Sequence, residues 1–193
     1  MALSDPSSAL DDLLQREPQV RLSGSVNDSM LASFQDQIGN LRGGEDPVIV
    51  ELMTLGGGAE TGRRLALEAR IAGTRLGRRL IFLGKTAVYS AGVTFMSGFP
   101  QRDRFLSRDA VLLIHSRQME QTLSLSGPLR PSAERVRALM SEIENGLRVE
   151  GEDFEALIHG SEVSIEELLE RAPTNWYVPA QEAVDRRLVA GLV

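Results

Sequence analysis

The sequence predicts an α/β fold with a largely parallel sheet, for two reasons. Short, strongly apolar runs at 47–53, 80–83 and 110–115 alternate with longer segments whose apolar residues have helical spacing. Apolar runs of this length are typical of strands that are covered on both faces, and their alternation with helices indicates crossover connections between parallel strands. The 193 residues, 42% of them hydrophobic, are enough for one well-packed domain.

Turn residues and helix caps divide the chain into its predicted elements. Asn27 or Asp28 can cap the first helix, and Gly77 ends the second. Residues 1–19 are polar with scattered leucines, so we expect an N-terminal arm ahead of a single domain at 20–193. The predicted elements are strands at 20–26, 47–53, 80–83, 104–107, 110–115 and 121–126, and helices at 28–41, 59–76, 91–97, 133–158, 164–171 and 180–187.

A glycine cluster lies between the second strand and the second helix. The segment reads Thr54-Leu-Gly-Gly-Gly-Ala-Glu60, and three successive glycines let the backbone turn sharply and present N–H groups to a ligand oxygen. The pattern matches neither of the common nucleotide-binding glycine motifs. A plain tight turn and an oxyanion-binding loop are both consistent with it.

Ser90 lies where the strand that begins at 80 gives way to the helix at 91–97. The free N–H groups of a helix start stabilise negative charge, so a serine there is suited to act as a nucleophile. Capping of the helix by the same hydroxyl is the other interpretation. Lys85 is the only lysine of the chain and precedes the serine by five positions, so a Ser–Lys dyad is a further hypothesis.

A histidine, His115, ends the apolar strand at 110–115. Open parallel sheets place their binding sites at the carboxyl ends of strands. The glycine cluster, Ser90 and His115 each follow or end such a strand. We therefore expect all three to meet along one edge of the sheet.

The character of the chain changes after His115. Residues 121–126 alternate apolar and polar side chains, which predicts an exposed strand. The long amphipathic helix at 133–158 follows it. A strand and long helix that project from a compact body can serve assembly, whereas a helix that covers the sheet is the alternative.

Composition excludes several classes of function. Cysteine is absent, so there are no disulfides and no thiol chemistry. The net charge of −6 argues against an unaided nucleic-acid or anionic-membrane surface. The sequence has no secretory signal pattern and no apolar run of about 20 residues, so we expect a cytoplasmic location and no membrane span. We predict no cofactor and no metal site.

Five segments, in their order and spacing, resemble the family of ClpP, the proteolytic subunit of the Clp protease, in the ClpP/crotonase superfamily. The first of them, residues 20–28, is similar to that family's opening strand and helix start. Leu55-Gly-Gly-Gly-Ala resembles that family's Ser-Pro-Gly-Gly loop, and Ser90-Ala-Gly resembles its nucleophile segment. His115 follows Leu-Leu-Ile at the family's spacing of 25 residues from the serine (115 − 90). Residues 179–189 resemble its closing motif, and the likeness covers nearly the whole chain after the arm.

The resemblance implies a serine endopeptidase built from repeated β-β-α units with a strand-plus-long-helix handle at about 117–160. Ser90 would attack the peptide carbonyl, His115 would take its proton, and the N–H groups of Gly57 and Ala91 would form the oxyanion hole. The implied substrate is a peptide or unfolded protein, and the implied assembly is a homo-oligomeric ring. An AAA+ unfoldase is the family's partner, but the segment before residue 20 is short for its docking hairpin, so this partner stays open.

One departure from the family concerns the triad acid, whose expected position is occupied by Arg171. An arginine cannot accept the N–H of a histidine. Glu170 and Asn175 are the neighbouring candidates for the third triad member, which stays unknown. Two alternatives therefore stay open: a catalytically degenerate subunit with a structural or regulatory role, and a crotonase-type binder of acyl thioesters.

Overall fold

The computed structural model describes residues 16–41, 44 and 47–193, so most of the arm predicted at 1–19 lies outside the described residues. Short 3₁₀ turns at Gln101–Asp103 and Ala172–Thr174 join some of the elements. The helices and strands, in chain order, are β1 (Val20–Ser23), α1 (Asp28–Gly39), β2 (Val48–Thr54), α2 (Ala59–Leu76), β3 (Leu80–Tyr89), α3 (Ala91–Met96), β4 (Arg104–Leu106), β5 (Val111–Ile114), α4 (Leu129–Ile158), α5 (Ile165–Arg171), β6 (Trp176–Pro179), α6 (Ala180–Asp185) and β7 (Gly191–Leu192).

A single sheet carries these strands in the order β1-β2-β3-β4-β7, and every pair along this path is parallel. Strand β3 changes neighbour along its length. Its residues Phe82–Gly84 pair with β4, and its residues Ala87–Tyr89 pair in parallel with β5. Strand β6 then joins β5 in the antiparallel sense. The predicted α/β fold with a largely parallel sheet is confirmed.

The strand predicted at 121–126 is wrong, because the chain has no strand or helix between β5 and α4. These residues are exposed, and no strand of the described residues pairs with them. An extended segment alone is not stable in water, since its N–H and C=O groups need a partner strand. Helix α4 also begins at Leu129 rather than at 133, with Pro131 in its first turn, where a missing N–H breaks no helical hydrogen bond.

Two strands differ from the prediction, one in its length and one because it was not predicted. Strand β3 runs to Tyr89 instead of ending at residue 83, since it pairs first with β4 and then with β5 after the polar interruption at Lys85 and Thr86. Strand β6 is not among the predicted elements. Its alternation of buried and exposed residues fits a short strand paired on one side, and its Trp176 lies opposite Ile114.

The pleat of β2 divides its side chains between two apolar clusters. Val48, Val50 and Leu52 point into the main core, which the helices cover, and Ile49 points into a smaller cluster on the other face. Helix α2 lies against α3 and presents five buried small or apolar residues to the core. Among the described residues, no helix is both long and apolar enough to cross a membrane.

Arg104 is the largest fully buried side chain, with 2% of its surface exposed. Burial lowers the pKa of its guanidinium to about 10. The side chain forms no ion pair with a described residue, and backbone carbonyls near the ends of α3 and α4 accept its hydrogen bonds instead. Its acceptors are the carbonyls of Phe99 at 2.9 Å, Leu157 at 2.7 Å, Ala156 at 3.3 Å, Leu188 at 3.4 Å and Ser97 at 3.5 Å.

We expect Arg104→Met to lower the free energy of unfolding by about 2–4 kcal/mol, because it leaves several buried carbonyls without a donor. The exposed Arg108, for which the structure shows no side-chain hydrogen bond, provides the matched control Arg108→Met. Urea denaturation of the two variants measures the difference. Equal stability of the two variants would contradict a structural role for the buried guanidinium.

Candidate functional site

A cavity of about 410 Å³ opens beside the carboxyl ends of β2, β3 and β5. Its wall contains Gly57 from the loop after β2, Ser90 and Ala91 from the start of α3, and His115 directly after β5. The predicted convergence of the glycine cluster, Ser90 and His115 at one edge of the sheet is therefore confirmed. Apolar side chains from β5 and α4, including Leu113 and Phe154, complete much of the wall.

Ser90 occupies a sharp turn from strand to helix. Its backbone angles are φ 54° and ψ −117°, a region that residues other than glycine rarely adopt. The Ser90 N–H donates to the Leu113 carbonyl at 2.8 Å, and the Ser90 carbonyl accepts from Val93 N–H at 2.8 Å and Thr94 N–H at 3.2 Å. The side chain makes no capping hydrogen bond, so the capping interpretation of this serine is wrong. A strained strand-to-helix turn with an exposed hydroxyl is typical of a nucleophilic serine.

The glycine loop requires glycine at two positions for steric reasons. Gly56 has φ 107° and approaches Ser90 so closely that an added Cβ would lie 3.0 Å from the serine Cβ. Gly57 has φ 151°, and a Cβ there would lie 2.3 Å from the Val26 carbonyl oxygen. The Thr54 hydroxyl fixes the loop by accepting from the Gly56 N–H at 3.0 Å and donating to the Gly24 carbonyl at 2.6 Å.

Two backbone N–H groups at the cavity lack a hydrogen-bond acceptor. Within the described part of the chain, no carbonyl or side chain accepts from the N–H of Gly57 or from that of Ala91. Both residues line the cavity next to Ser90. The N–H of the buried Ala91 and that of the exposed Gly57 have no partner in the described residues, so both are available to an oxygen atom of a ligand.

His115 is half-buried, and its Nδ1 lies 2.7 Å from the carbonyl oxygen of Ser116. A carbonyl can only accept, so Nδ1 carries the proton and donates it to Ser116. The other ring nitrogen, Nε2, is then unprotonated in the neutral ring and can accept a proton. No hydrogen bond between Ser90 and His115 is present in the described residues, although both line the cavity.

The candidates for the third triad member are exposed and do not bond to the histidine among the described residues. Arg171 pairs with Glu167 at 3.0 Å, and its guanidinium stacks on Trp176 at 5.0 Å from the ring centroid. Glu170 and Asn175 are exposed, and neither forms a hydrogen bond with His115 among the described residues. The position expected for the acid therefore belongs to a surface contact between α5 and β6.

Lys85 does not support a Ser–Lys dyad. Its Nζ pairs with the Glu51 carboxylate at 2.5 Å, and its side chain is 44% exposed. The residue is not part of the cavity wall around Ser90. The lysine therefore binds Glu51 on a different part of β3.

The cavity wall also contains three charged residues that sequence reasoning missed: Arg117, Glu150 and Asp153. The Arg117 guanidinium donates to the Glu60 carboxylate at 2.8 and 2.7 Å, and the Arg117 backbone N–H donates to the Glu150 carboxylate. The buried Arg117 Nε has no partner among the described residues. One signal was present in the sequence, since Glu150 and Asp153 share the i, i+4, i+7 face of the predicted helix with Phe154 and Leu157.

Burial raises the pKa of Asp153 from 3.8 to about 6, while the cations Arg63 and Arg117 act in the opposite direction. The carboxylate pairs with Arg63 Nε at 3.0 Å. Because the pKa is higher in the folded protein than in the unfolded chain, the folded protein binds the proton more tightly. The resulting stabilisation is complete below pH 3.8 and is lost as the pH rises through about 6.

We expect Asp153→Asn to remove this pH dependence. The unfolding free energy of the native sequence should fall more steeply between pH 5 and pH 7 than that of the variant. Both proteins contain His115 and His159, so the histidine contribution cancels in the comparison. Urea denaturation at the two pH values measures the difference, and parallel pH dependences would show that Asp153 titrates normally.

No protein-family model matches the sequence, and no curated protein is similar to it in sequence. Among solved structures, the chain is similar to a mutant of ClpP1 from Listeria monocytogenes, with a TM-score of 0.68 and 17% sequence identity. The similarity covers 97% of this chain and 95% of that chain. At this identity the likeness establishes the fold and leaves the chemistry to the residues of the site. The chain has a ClpP/crotonase-like fold, as the sequence motifs predict.

Proposed function

We propose that the chain is a ClpP-type serine endopeptidase that hydrolyses peptide bonds through an acyl-enzyme. The observation that supports this most strongly is the single cavity shared by Ser90, His115 and the free N–H groups of Gly57 and Ala91. These are a nucleophile, a base and a pair of oxyanion donors, which are the groups that acyl transfer requires.

In the first step, Ser90 Oγ forms a bond to the carbonyl carbon of the substrate, and His115 Nε2 takes the hydroxyl proton. Negative charge develops on the carbonyl oxygen, where the N–H groups of Gly57 and Ala91 stabilise it. Loss of one such donor in a serine protease costs about 3–4 kcal/mol of transition-state stabilisation. The Ser90–His115 hydrogen bond would form on substrate binding, since catalytic hydrogen bonds are often long in free enzymes.

In the second step, the carbon–nitrogen bond breaks, and His115 gives its proton to the leaving amine. Water then attacks the ester on Ser90, with His115 accepting the water proton and returning a proton to Ser90 Oγ. The Ser116 carbonyl holds the imidazole in the required tautomer throughout. A carbonyl carries less negative charge than a carboxylate, so we expect slower turnover than in an enzyme with an aspartate in this position.

A fluorophosphonate probe tests the nucleophile. We expect labelling of the native protein at Ser90 and none of Ser90→Ala. His115→Ala should label about 100-fold or more slowly, because the general base is lost. Mass spectrometry of the labelled peptide identifies the modified residue.

Ser97 provides the matched control for this experiment. It lies at the end of α3, and its hydroxyl donates to the Thr94 carbonyl at 2.7 Å. Ser97→Ala should label like the native protein. Labelling of Ser90→Ala at the native rate, or no labelling of the native protein, would rule out the proposed nucleophile.

We further propose that the chain forms a homo-oligomer through the handle at about 117–160, whose apolar side chains are exposed. Exposed apolar side chains in this number are typical of a protein interface. An AAA+ unfoldase and a cytoplasmic location stay predictions. The exposed apolar residues of the handle are Met119, Leu123, Leu125, Leu129, Val136, Met140, Ile143 and Leu147.

We expect Leu147→Asp to weaken this assembly, because it places a charge on a side chain that is 62% exposed in the isolated chain. Leu169→Asp is the control, since Leu169 is 50% exposed on α5, outside the handle. Sedimentation velocity should show smaller species for the first variant only. An unchanged distribution for both variants would exclude the handle as the interface.

The second candidate is a catalytically degenerate subunit with a structural or regulatory role. It is favoured by the absence of a carboxylate bonded to His115 among the described residues and by the pairing of Arg171 with Glu167. Peptide hydrolysis by the purified protein separates the two candidates. Hydrolysis that Ser90→Ala abolishes would exclude the degenerate subunit.

A further inference from the structure

The peptide group between Ser116 and Arg117 links His115 to a buried carboxylate. On one side of this group, the Ser116 carbonyl accepts the His115 Nδ1–H at 2.7 Å. On the other side, the Arg117 N–H donates to the Glu150 carboxylate. The C=O and N–H belong to the same planar, resonance-stabilised unit. A continuous chain of hydrogen bonds therefore runs from the imidazole through one peptide group to Glu150.

An anion at the N–H end of a peptide group increases the negative charge on its carbonyl oxygen. Hydrogen bonds in such a chain polarise and strengthen one another. The Ser116 carbonyl is consequently a stronger acceptor for the His115 Nδ1–H than an ordinary carbonyl. It also favours the imidazolium that forms when His115 takes a proton, as the carboxylate of a triad does.

Glu150 is in a position to exert this effect because it is shielded from water. Only 6% of its surface is exposed, so solvent screens its charge weakly. It lies on α4, which holds the carboxylate in a fixed place beside the cavity.

The cations nearby are paired with other carboxylates. The Arg117 guanidinium binds Glu60 on α2, and Arg63 on α2 binds Glu152 and Asp153. On the other side of His115, Arg171 pairs with Glu167. Within the described residues Glu150 forms no ion pair, so its charge is directed at the Ser116–Arg117 peptide group.

We propose that Glu150 is the positioning residue that replaces the missing triad acid, acting on His115 through the Ser116–Arg117 peptide group. The catalytic consequence rests on the proposed serine-hydrolase function, whereas the effect on the imidazole does not. The carboxylate charge acts on the imidazole across this peptide group by Coulomb attraction, which favours the protonated ring over the neutral ring.

Glu150→Gln tests this proposal, because the amide oxygen can still accept the Arg117 N–H but carries no charge. Diethylpyrocarbonate reacts with the neutral imidazole and not with the protonated ring. The rate of modification as a function of pH therefore gives the pKa of each histidine. The two histidines fall in different tryptic peptides, His115 in 109–117 and His159 in 149–171, so mass spectrometry distinguishes them. This readout needs no enzymatic activity and does not depend on the oligomeric state.

We expect the pH profile of His115 modification to move to lower pH in Glu150→Gln, so that the rate on the acid side of the profile rises by about 3- to 30-fold, with no change at His159. Glu152→Gln is the matched control, since Glu152 is on the same helix but pairs with Arg63 and Arg148. It removes the same charge and should leave the His115 profile as in the native protein.

For peptide hydrolysis, Glu150→Gln should lower kcat by about 3- to 30-fold and leave KM unchanged, since the carboxylate acts on the imidazolium and does not touch substrate. The acid limb of the pH profile should move to lower pH together with the His115 pKa.

An unchanged His115 pKa in Glu150→Gln overturns the proposal, even if activity falls. An equal fall in Glu152→Gln also overturns it, because the effect would then be a general field of the helix. Failure of the proposed hydrolase function has a different signature, namely no fluorophosphonate labelling of Ser90. The His115 titration remains interpretable in that case.

Discussion

The pairing of strand β3 with two successive neighbours is the constraint on which the site depends. Because its second half pairs with β5, the end of β3 lies beside the end of β5, and the Ser90 N–H bonds to the Leu113 carbonyl. His115 is two residues beyond Leu113, directly after β5, so the backbone ladder itself brings the serine and the histidine to one cavity. The glycine loop after β2 is held against the same edge by the parallel pairing of β2 with β3. The positions of all three groups follow from hydrogen bonding between strands, and not from flexible loops.

The unusual backbone conformation of Ser90 is stabilised by the contacts that surround it. A positive φ at a serine costs about 1–3 kcal/mol, which the neighbouring contacts must offset. The approach of Gly56 to the Ser90 side chain and the helical hydrogen bonds to the Ser90 carbonyl provide such contacts. At the other end of α3, the buried guanidinium of Arg104 fixes the chain after the helix by bonding to the carbonyls of Ser97 and Phe99. The short helix is thus held at both ends.

The fold and the chemistry of this chain rest on different kinds of evidence. The similarity to a solved ClpP1 structure at 17% identity establishes the ClpP/crotonase-like fold. The chemistry depends on which group faces each nitrogen of His115, and similarity of fold does not decide this. The carbonyl of Ser116 takes the place next to Nδ1, and the nearest carboxylate in the hydrogen-bond chain, that of Glu150, lies one peptide group further away. In a triad, a single aspartate both orients the imidazole and supplies a negative charge. Here the Ser116 carbonyl orients the imidazole, and the Glu150 carboxylate supplies the charge.

By itself the sequence determined the α/β class, most helices and strands, and the edge of the sheet at which Ser90 and His115 meet, because apolar periodicity and turn residues are local signals. It could not show that Glu150 accepts the Arg117 backbone N–H, nor that Asp153 binds Arg63. Those contacts join residues that are far apart along the chain, and only the packing of α4 over the sheet brings them together. The absence of the strand at 121–126 has a related cause, since a strand forms only where a partner completes its hydrogen bonds. The local pattern of apolar and turn residues therefore determined most helices and strands, whereas tertiary packing determined which polar groups are in contact.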